Sequence, residues 1–123
     1  MNHEDLELWK RAHRLSYDVA VELSRCMYPD FINQTNQSSS TILCNIETSF
    51  NKDSASEKRR FLAYAREALA EFKIQIYVAQ RLGYINNDKA ASWRMELHII
   101  KLKLTALIKA TENNQKKIIS CQH

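Results

Sequence analysis

One glycine and one proline in 123 residues is the feature that most limits how this chain folds. Hairpins, tight turns and phosphate-cradling loops draw on these residues for a positive or preset φ. A chain this poor in both is confined to long helices joined by few turns. The length favours one domain, and a hydrophobic share of 45% can fill its core.

The hydrophobic period divides the chain into four helical segments, at about 4–27, 31–51, 55–82 and 87–112. The first carries two apolar stripes. One holds Leu6, Trp9, His13, Ser16, Ala20, Leu23 and Met27; the other holds Leu8, Ala12, Leu15, Val19 and Cys26. Pro29 is expected to end it. The second segment contains NQTNQSSST at 33–41, which alone reads as loop. Phe31, Ile32, Thr35, Ser39, Ile42, Ile46 and Phe50 nevertheless keep the helical period through it. Small residues on that face would let a neighbouring helix approach closely, and packing would have to hold this weak helix former together. Ser54 and Glu57 have capping-box spacing and open the third segment, whose seam is Phe61, Ala65, Ala68, Phe72, Ile76 and Ala79. Gly83 stands where a left-handed cap is wanted. The fourth has a seam of Trp93, Leu97, Ile100, Leu104 and Leu107, and residues 113–123 are expected to fray. The simplest assembly is all-α: an antiparallel up-down-up-down four-helix bundle, one domain over 1–112.

Reaction chemistry is not legible. A di-iron bundle needs Glu-x-x-His on two helices, which is missing, and His3, His13, His98 and His123 lack zinc spacing. Glycine-dependent nucleotide and nucleophile motifs cannot be built. Glu67 and Glu71, flanked by Arg66 and Lys73, read as a salt-bridged surface rather than an acid–base pair. His13 reads as a partly buried imidazole with a satisfied hydrogen bond. No enzyme, metal or cofactor is expected. Cys26, Cys44 and Cys121 are odd in number and widely spaced, so reduced, core-packed thiols are expected. MNHEDLELWK has acids where a secretion signal has basic residues, and no apolar run reaches about 18 residues. A cytoplasmic protein without a membrane span is the expectation.

Charge is the remaining clue. Seven Lys/Arg and three acids fall from Asn86 onward, an excess of +4 that equals the net charge of the whole chain. The imbalance suits an anionic partner, although solvated lysines on a helix face give the same pattern. Arg94, His98, Lys101, Thr105 and Lys109 share one helical face about 20 Å long at 1.5 Å per residue, a spacing that can follow phosphates. Lys58, Arg59 and Arg60 form a second basic cluster, near the start of the third segment, and Lys116 and Lys117 a third. Trp93 and Tyr64 are the aromatic residues placed to stack on bases. Trp9, Tyr17, Tyr64 and Tyr77 are the large side chains expected at a contact between subunits.

The opening EDLELWKRAHRLSYDVAVELS resembles DLxVWxKAxxLxxxIYxLT, the start of the four-helix-bundle proteins encoded in 23S rRNA intervening sequences. FLAYAREALAEFKIQIYVAQRLGYI is similar to their third helix, FLxIAxGSLxELxxQLxIAxxLGYL, and ILCNIETSF stands in the place of SIPSNIAEGY. Asp5, Leu6, Trp9, Asn45, Ile46, Leu69, Glu71, Gln75, Leu82 and Gly83 match these motifs. Where the family has paired arginines in its second helix, this chain has Asn36 and Gln37. Ser49 replaces a glycine, and Glu67-Ala68 replaces GS. The resemblance implies a homo-oligomer, with pentameric barrels as the family's assembly. A related branch, the accessory variability determinants of diversity-generating retroelements, supports a reverse transcriptase and binds nucleic acid through a basic surface. It therefore implies RNA or DNA and a reverse transcriptase as partners. The alternative is a structural or protein-interaction bundle with no nucleic-acid role.

Overall fold

The computed structural model describes the backbone of residues 2–121 and the side chains of 2–114. Four helices follow one another: α1 (His3–Leu23), α2 (Pro29–Phe50), α3 (Ala55–Arg81) and α4 (Asn87–Cys121). Each packs on its two neighbours around a closed ring, α1 on α2, α2 on α3, α3 on α4 and α4 on α1. The result is the expected antiparallel up-down-up-down bundle, and no strand occurs among the described residues.

Local chemistry sets most boundaries. Asn2 caps α1: its Oδ1 accepts from the Asp5 backbone N–H at 2.8 Å, and Asp5 Oδ2 accepts in return from the Asn2 N–H. Ser54 caps α3 through one hydrogen bond, its hydroxyl accepting from the Glu57 N–H at 3.3 Å. Gly83 closes α3 with φ +79. The Gly83 N–H donates to the Gln80 carbonyl and that of Tyr84 to the Ala79 carbonyl, which is a Schellman motif, and only a residue without Cβ enters it cheaply.

Two boundaries differ from expectation. Pro29 opens α2 rather than closing α1, which already ends at Leu23. A first-turn position suits proline because its missing N–H would have had no intrahelical acceptor. At the other end α4 continues to Cys121 instead of fraying from residue 113. Residues 113–121 contain neither Gly nor Pro, so nothing in them stops a helix already propagating.

The core stripe of α1 is the second of its two: Leu8, Ala12, Leu15 and Val19, with Leu23, are buried. The other stripe lies half out, and Met27 is exposed. Leu62, Leu69, Phe72 and Ile76 of α3 and Trp93, Leu97, Ile100 and Leu104 of α4 complete the centre. Phe61 leaves the expected seam of α3 and Leu62 takes its place; the Phe61 ring lies outside, under Lys52 and Arg60 at 5.2 and 5.1 Å. Leu107 is half-buried while Ile108 is buried. These one-residue offsets reflect a period of 3.6, which leaves adjacent rows competing for the seam.

NQTNQSSST lies in the middle of α2. Thr35, Ser38 and Ser39 are buried, and the α2–α3 pair is the most extensively packed in the bundle. Their small side chains admit α3, and hydroxyls bond back into the helix. Thr35 Oγ1 donates to the Phe31 carbonyl at 2.9 Å and Ser39 Oγ to that of Asn36 at 3.2 Å. Back-bonding removes the cost of burying a hydroxyl. Ser49 is fully buried by the same device, donating to the Ile46 carbonyl at 2.6 Å.

Candidate functional site

Among the described residues, the cations of α4 that meet a neighbouring helix fall into two groups by the face they occupy. Toward α1 they are neutralised. Lys89 Nζ is 2.9 Å from Glu22, Lys103 Nζ is 3.7 Å from Glu7, and Arg11 of α1 reaches Glu96 of α4 at 2.9 and 3.1 Å. These pairs run in opposite order along the two helices, as antiparallel packing requires. They also cross the least extensively packed junction of the bundle. Lys103, followed by a hydrogen bond from Arg11, holds the Glu7 carboxyl below the usual glutamate range. Hydrogen bonding and attraction to Glu96 raise Arg11.

Toward α3 the arrangement is different. A groove of about 690 Å³ runs between α3 and α4. Its floor is formed by the buried Leu69 and Leu97, Ala70 and Ile74 are exposed along its α3 side, and Tyr77 stands at one end. Arg66 and Lys73 rise from α3, and Arg94, His98 and Lys101 from α4; Glu67 is the acid among the lining residues. Among the described residues, no carboxylate lies within 4.0 Å of Arg66, Lys73, Arg94 or Lys101. Arg94 is held by a neutral partner. Its Nη1 donates to Gln80 Oε1 at 2.9 Å, and the Gln80 amide donates to Asn87 Oδ1 at 3.0 Å. The guanidinium is thus positioned without losing its charge. A second, smaller groove, lined by Arg59, Arg60, Ala63 and Ile108 together with the acids Glu57 and Glu112, shares Arg66 with the first and continues it as a track of mixed charge toward the start of α3.

A family model for the 23S rRNA-intervening sequence protein matches residues 4–106. The chain belongs to the 23S rRNA-intervening sequence protein family. The match takes in α1 to α3 and the part of α4 that forms the large groove. A crystal structure of a protein of unknown function from the S23 ribosomal protein family of Bacteroides thetaiotaomicron VPI-5482 superposes with a TM-score of 0.78, covering 86% of this chain and 98% of that one. At 17% identity the likeness is one of fold. No curated protein matches the chain.

The expected residues of this intervening-sequence family member divide as follows. Arg94, His98 and Lys101 meet in the groove, and Tyr77, expected at a subunit contact, stands there with them. Lys109 is exposed farther along α4, Thr105 and Lys58 are half-buried, and Arg59 and Arg60 line the second groove. The side chains of Lys116, Lys117 and Cys121 lie outside the described residues. Trp93 cannot stack on a ligand, because it is 6% exposed and belongs to the core. Tyr64 is half-exposed and sits edge-on to Phe61 at 5.8 Å. Trp9 is partly buried, donating from Nε1 to Glu47 at 2.7 Å, so its polar edge is engaged within the subunit. Tyr17 is 66% exposed and shares a face of α1 with Leu6 and Val21.

Three further expectations change. His13 is exposed beside the Trp9 ring at 5.0 Å rather than buried with a satisfied hydrogen bond. Cys44 is exposed and Cys26 half-buried, and both are free thiols. No ion pair ties Arg66 or Lys73 to Glu67 or Glu71, so the supposed salt-bridged surface is where sequence reasoning missed two members of the site. The available signal was their seven-residue spacing, equal to that of Arg94 and Lys101, on the helix that precedes α4. Among the described residues no cluster of His, Cys, Asp or Glu could hold a metal ion, and no helix is long and apolar enough to cross a membrane.

Proposed function

We propose that this protein is a non-enzymatic accessory bundle that self-associates and binds nucleic acid through the α3–α4 face. The observation that carries the reading is the set Arg66, Lys73, Arg94 and Lys101, four cations around one groove and outside ion-pair distance of any carboxylate among the described residues. A phosphate backbone that approaches them displaces counterions and separates no existing salt bridge. Arg59 and Arg60 extend the track. The exposed Leu6, Tyr17 and Val21 face of α1 is the proposed contact between subunits, leaving the groove open. An oligomer of such subunits repeats a modest basic patch, and avidity then raises affinity without enlarging any single patch. The resemblance to the accessory proteins of diversity-generating retroelements extends the reading to a reverse transcriptase as the protein partner, in a cytoplasmic setting.

Titration of unrelated RNA and DNA against salt tests this. Neutralising four phosphates gives a log–log slope of about −3 to −4. Absence of binding at roughly 50 mM salt, or a slope indifferent to Arg66→Glu with Lys101→Glu, rejects the proposal. A second reading, a bundle working through protein contacts alone, draws on the exposed Met95 and Leu102 of α4 as well as Tyr17; it expects no such binding.

A further inference from the structure

We infer that the α3–α4 groove takes single-stranded nucleic acid in preference to duplex, with phosphates on its two basic rims and bases on Tyr77 and the apolar floor. The inference rests on the nucleic-acid reading above and names the form of polymer that the groove fits. A site for duplex alone needs only cations at phosphate spacing on a convex or flat surface, since paired bases show a protein their edges and hide their faces. This groove has more. Ile74 is 62% exposed and Tyr77 49% exposed, over a floor that includes Leu69 and Leu97. An apolar surface left in water beside charged side chains is costly unless something with an apolar face covers it. Unpaired bases have such faces, and their stacking on aromatic side chains tolerates any sequence.

The placement of the cations agrees. Arg66 and Lys73 are seven residues apart on α3, as are Arg94 and Lys101 on the antiparallel α4, so each rim carries two charges about 10 Å apart along the groove. Tyr77 lies one turn beyond Lys73, near Arg94. A flexible strand can bend its phosphates to either rim while its bases turn inward; a duplex, stiff over about 150 base pairs, cannot. The volume of about 690 Å³ lies within the roughly 300–1,000 Å³ of clefts that bury a small organic ligand. The rims argue against a second copy of this chain as the occupant, because four cations would have to be desolvated against a surface supplying matching carboxylates. α2 offers Asp30 and Glu47 alone, and on α1 Glu7 and Glu22 are already paired and Asp5 caps its own helix, which leaves Glu4 and Asp18.

The test measures binding of the full chain to labelled RNA and DNA of mixed sequence, each as a single strand and as the matching duplex, at low salt by fluorescence anisotropy. Wild-type protein is expected to bind the single strand about tenfold more tightly. Tyr77→Ala and Ile74→Ser are each expected to reduce that preference several-fold, in line with base-stacking losses on alanine substitution, and Tyr77→Phe to keep it. Both positions are half-exposed or more, and circular dichroism confirms that the variants fold. Equal affinity for the two forms, or a preference indifferent to Tyr77→Ala and Ile74→Ser, overturns the inference while leaving phosphate binding intact. Failure of both forms to bind overturns the reading beneath it. Light scattering supplies the third outcome: if Tyr77→Ala dissociates an oligomer, the groove is a subunit contact and the inference falls.

Discussion

α4 presents cations to both of its neighbours, and the two sides behave differently. Against α1, Lys89 and Lys103 meet Glu22 and Glu7, and Glu96 receives Arg11. Against α3, Arg94 and Lys101 meet Gln80, an apolar floor and two further cations. The difference is one of carboxylate supply. α1 places Glu7 and Glu22 toward α4, whereas α3 turns Arg66 and Lys73 to it. Counting charge along α4 cannot separate these situations. A basic helix is a candidate anion site only on the side where its cations stay out of ion-pair reach of its neighbour's acids, and elsewhere the same residues are ties between helices.

Leu97 is 2% exposed and forms the groove floor. Leu97→Ala should cost about 2–5 kcal/mol, read by urea unfolding, and should lower nucleic-acid binding along with it. Charge reversal on the α3 side comes next. Arg66→Glu with Lys101→Glu should lessen the salt slope by about two, one for each phosphate no longer neutralised; the same reversal at Lys89, on the α1 side, should leave the slope near its wild-type value. A more revealing change is Glu96→Gln. Arg11 and Glu96 are about 30% exposed in their side chains, so the loss of stability should stay near 0.5–1 kcal/mol. The released Arg11 would then make the α1 side resemble the α3 side, and affinity for a polyanion at low salt should rise.

The smallest effect is one of pH. Glu7 has its carboxyl held below the ordinary value by Lys103 and then Arg11. A depressed carboxylate contributes stability that is fully present above its unfolded pKa and is lost as pH falls through the lower, folded value. Thermal unfolding should therefore show stability falling with acid below the ordinary glutamate range, and Glu7→Gln should flatten that fall. The exposure of Glu7 keeps the change modest, and the α3 side has no corresponding pair to lose.

Much of the fold was legible from local chemistry. The seam of α4 from Trp93 to Leu104, the cap at Ser54 and the turn at Gly83 each follow from residues within a turn or two of one another. So does the persistence of α2 through NQTNQSSST, whose buried hydroxyls bond to carbonyls three or four residues earlier. Pro29 was the ambiguous local signal, because the same missing N–H closes one helix or opens the next, and the residue alone does not say which. The site was half legible. The row Arg94, His98 and Lys101 was visible on one helix, but Arg66 and Lys73 were hidden beside Glu67 and Glu71, where short sequence spacing suggested pairs that the side chains do not form.

By itself, then, the sequence determined four helices, the caps at Ser54 and Gly83 and most of the core, because one glycine and one proline leave few stopping points and because helical period and capping act over three to seven residues. Only the tertiary structure decided which stripe of α1 is buried, that Trp93 is core while Tyr77 is surface, and which cations keep their charge uncompensated. Arg11 and Glu96 are separated by 85 residues. No local rule joins such a pair, and the charge left over for a partner appears only when four helices have docked and the carboxylates of one have been shared among the cations of another.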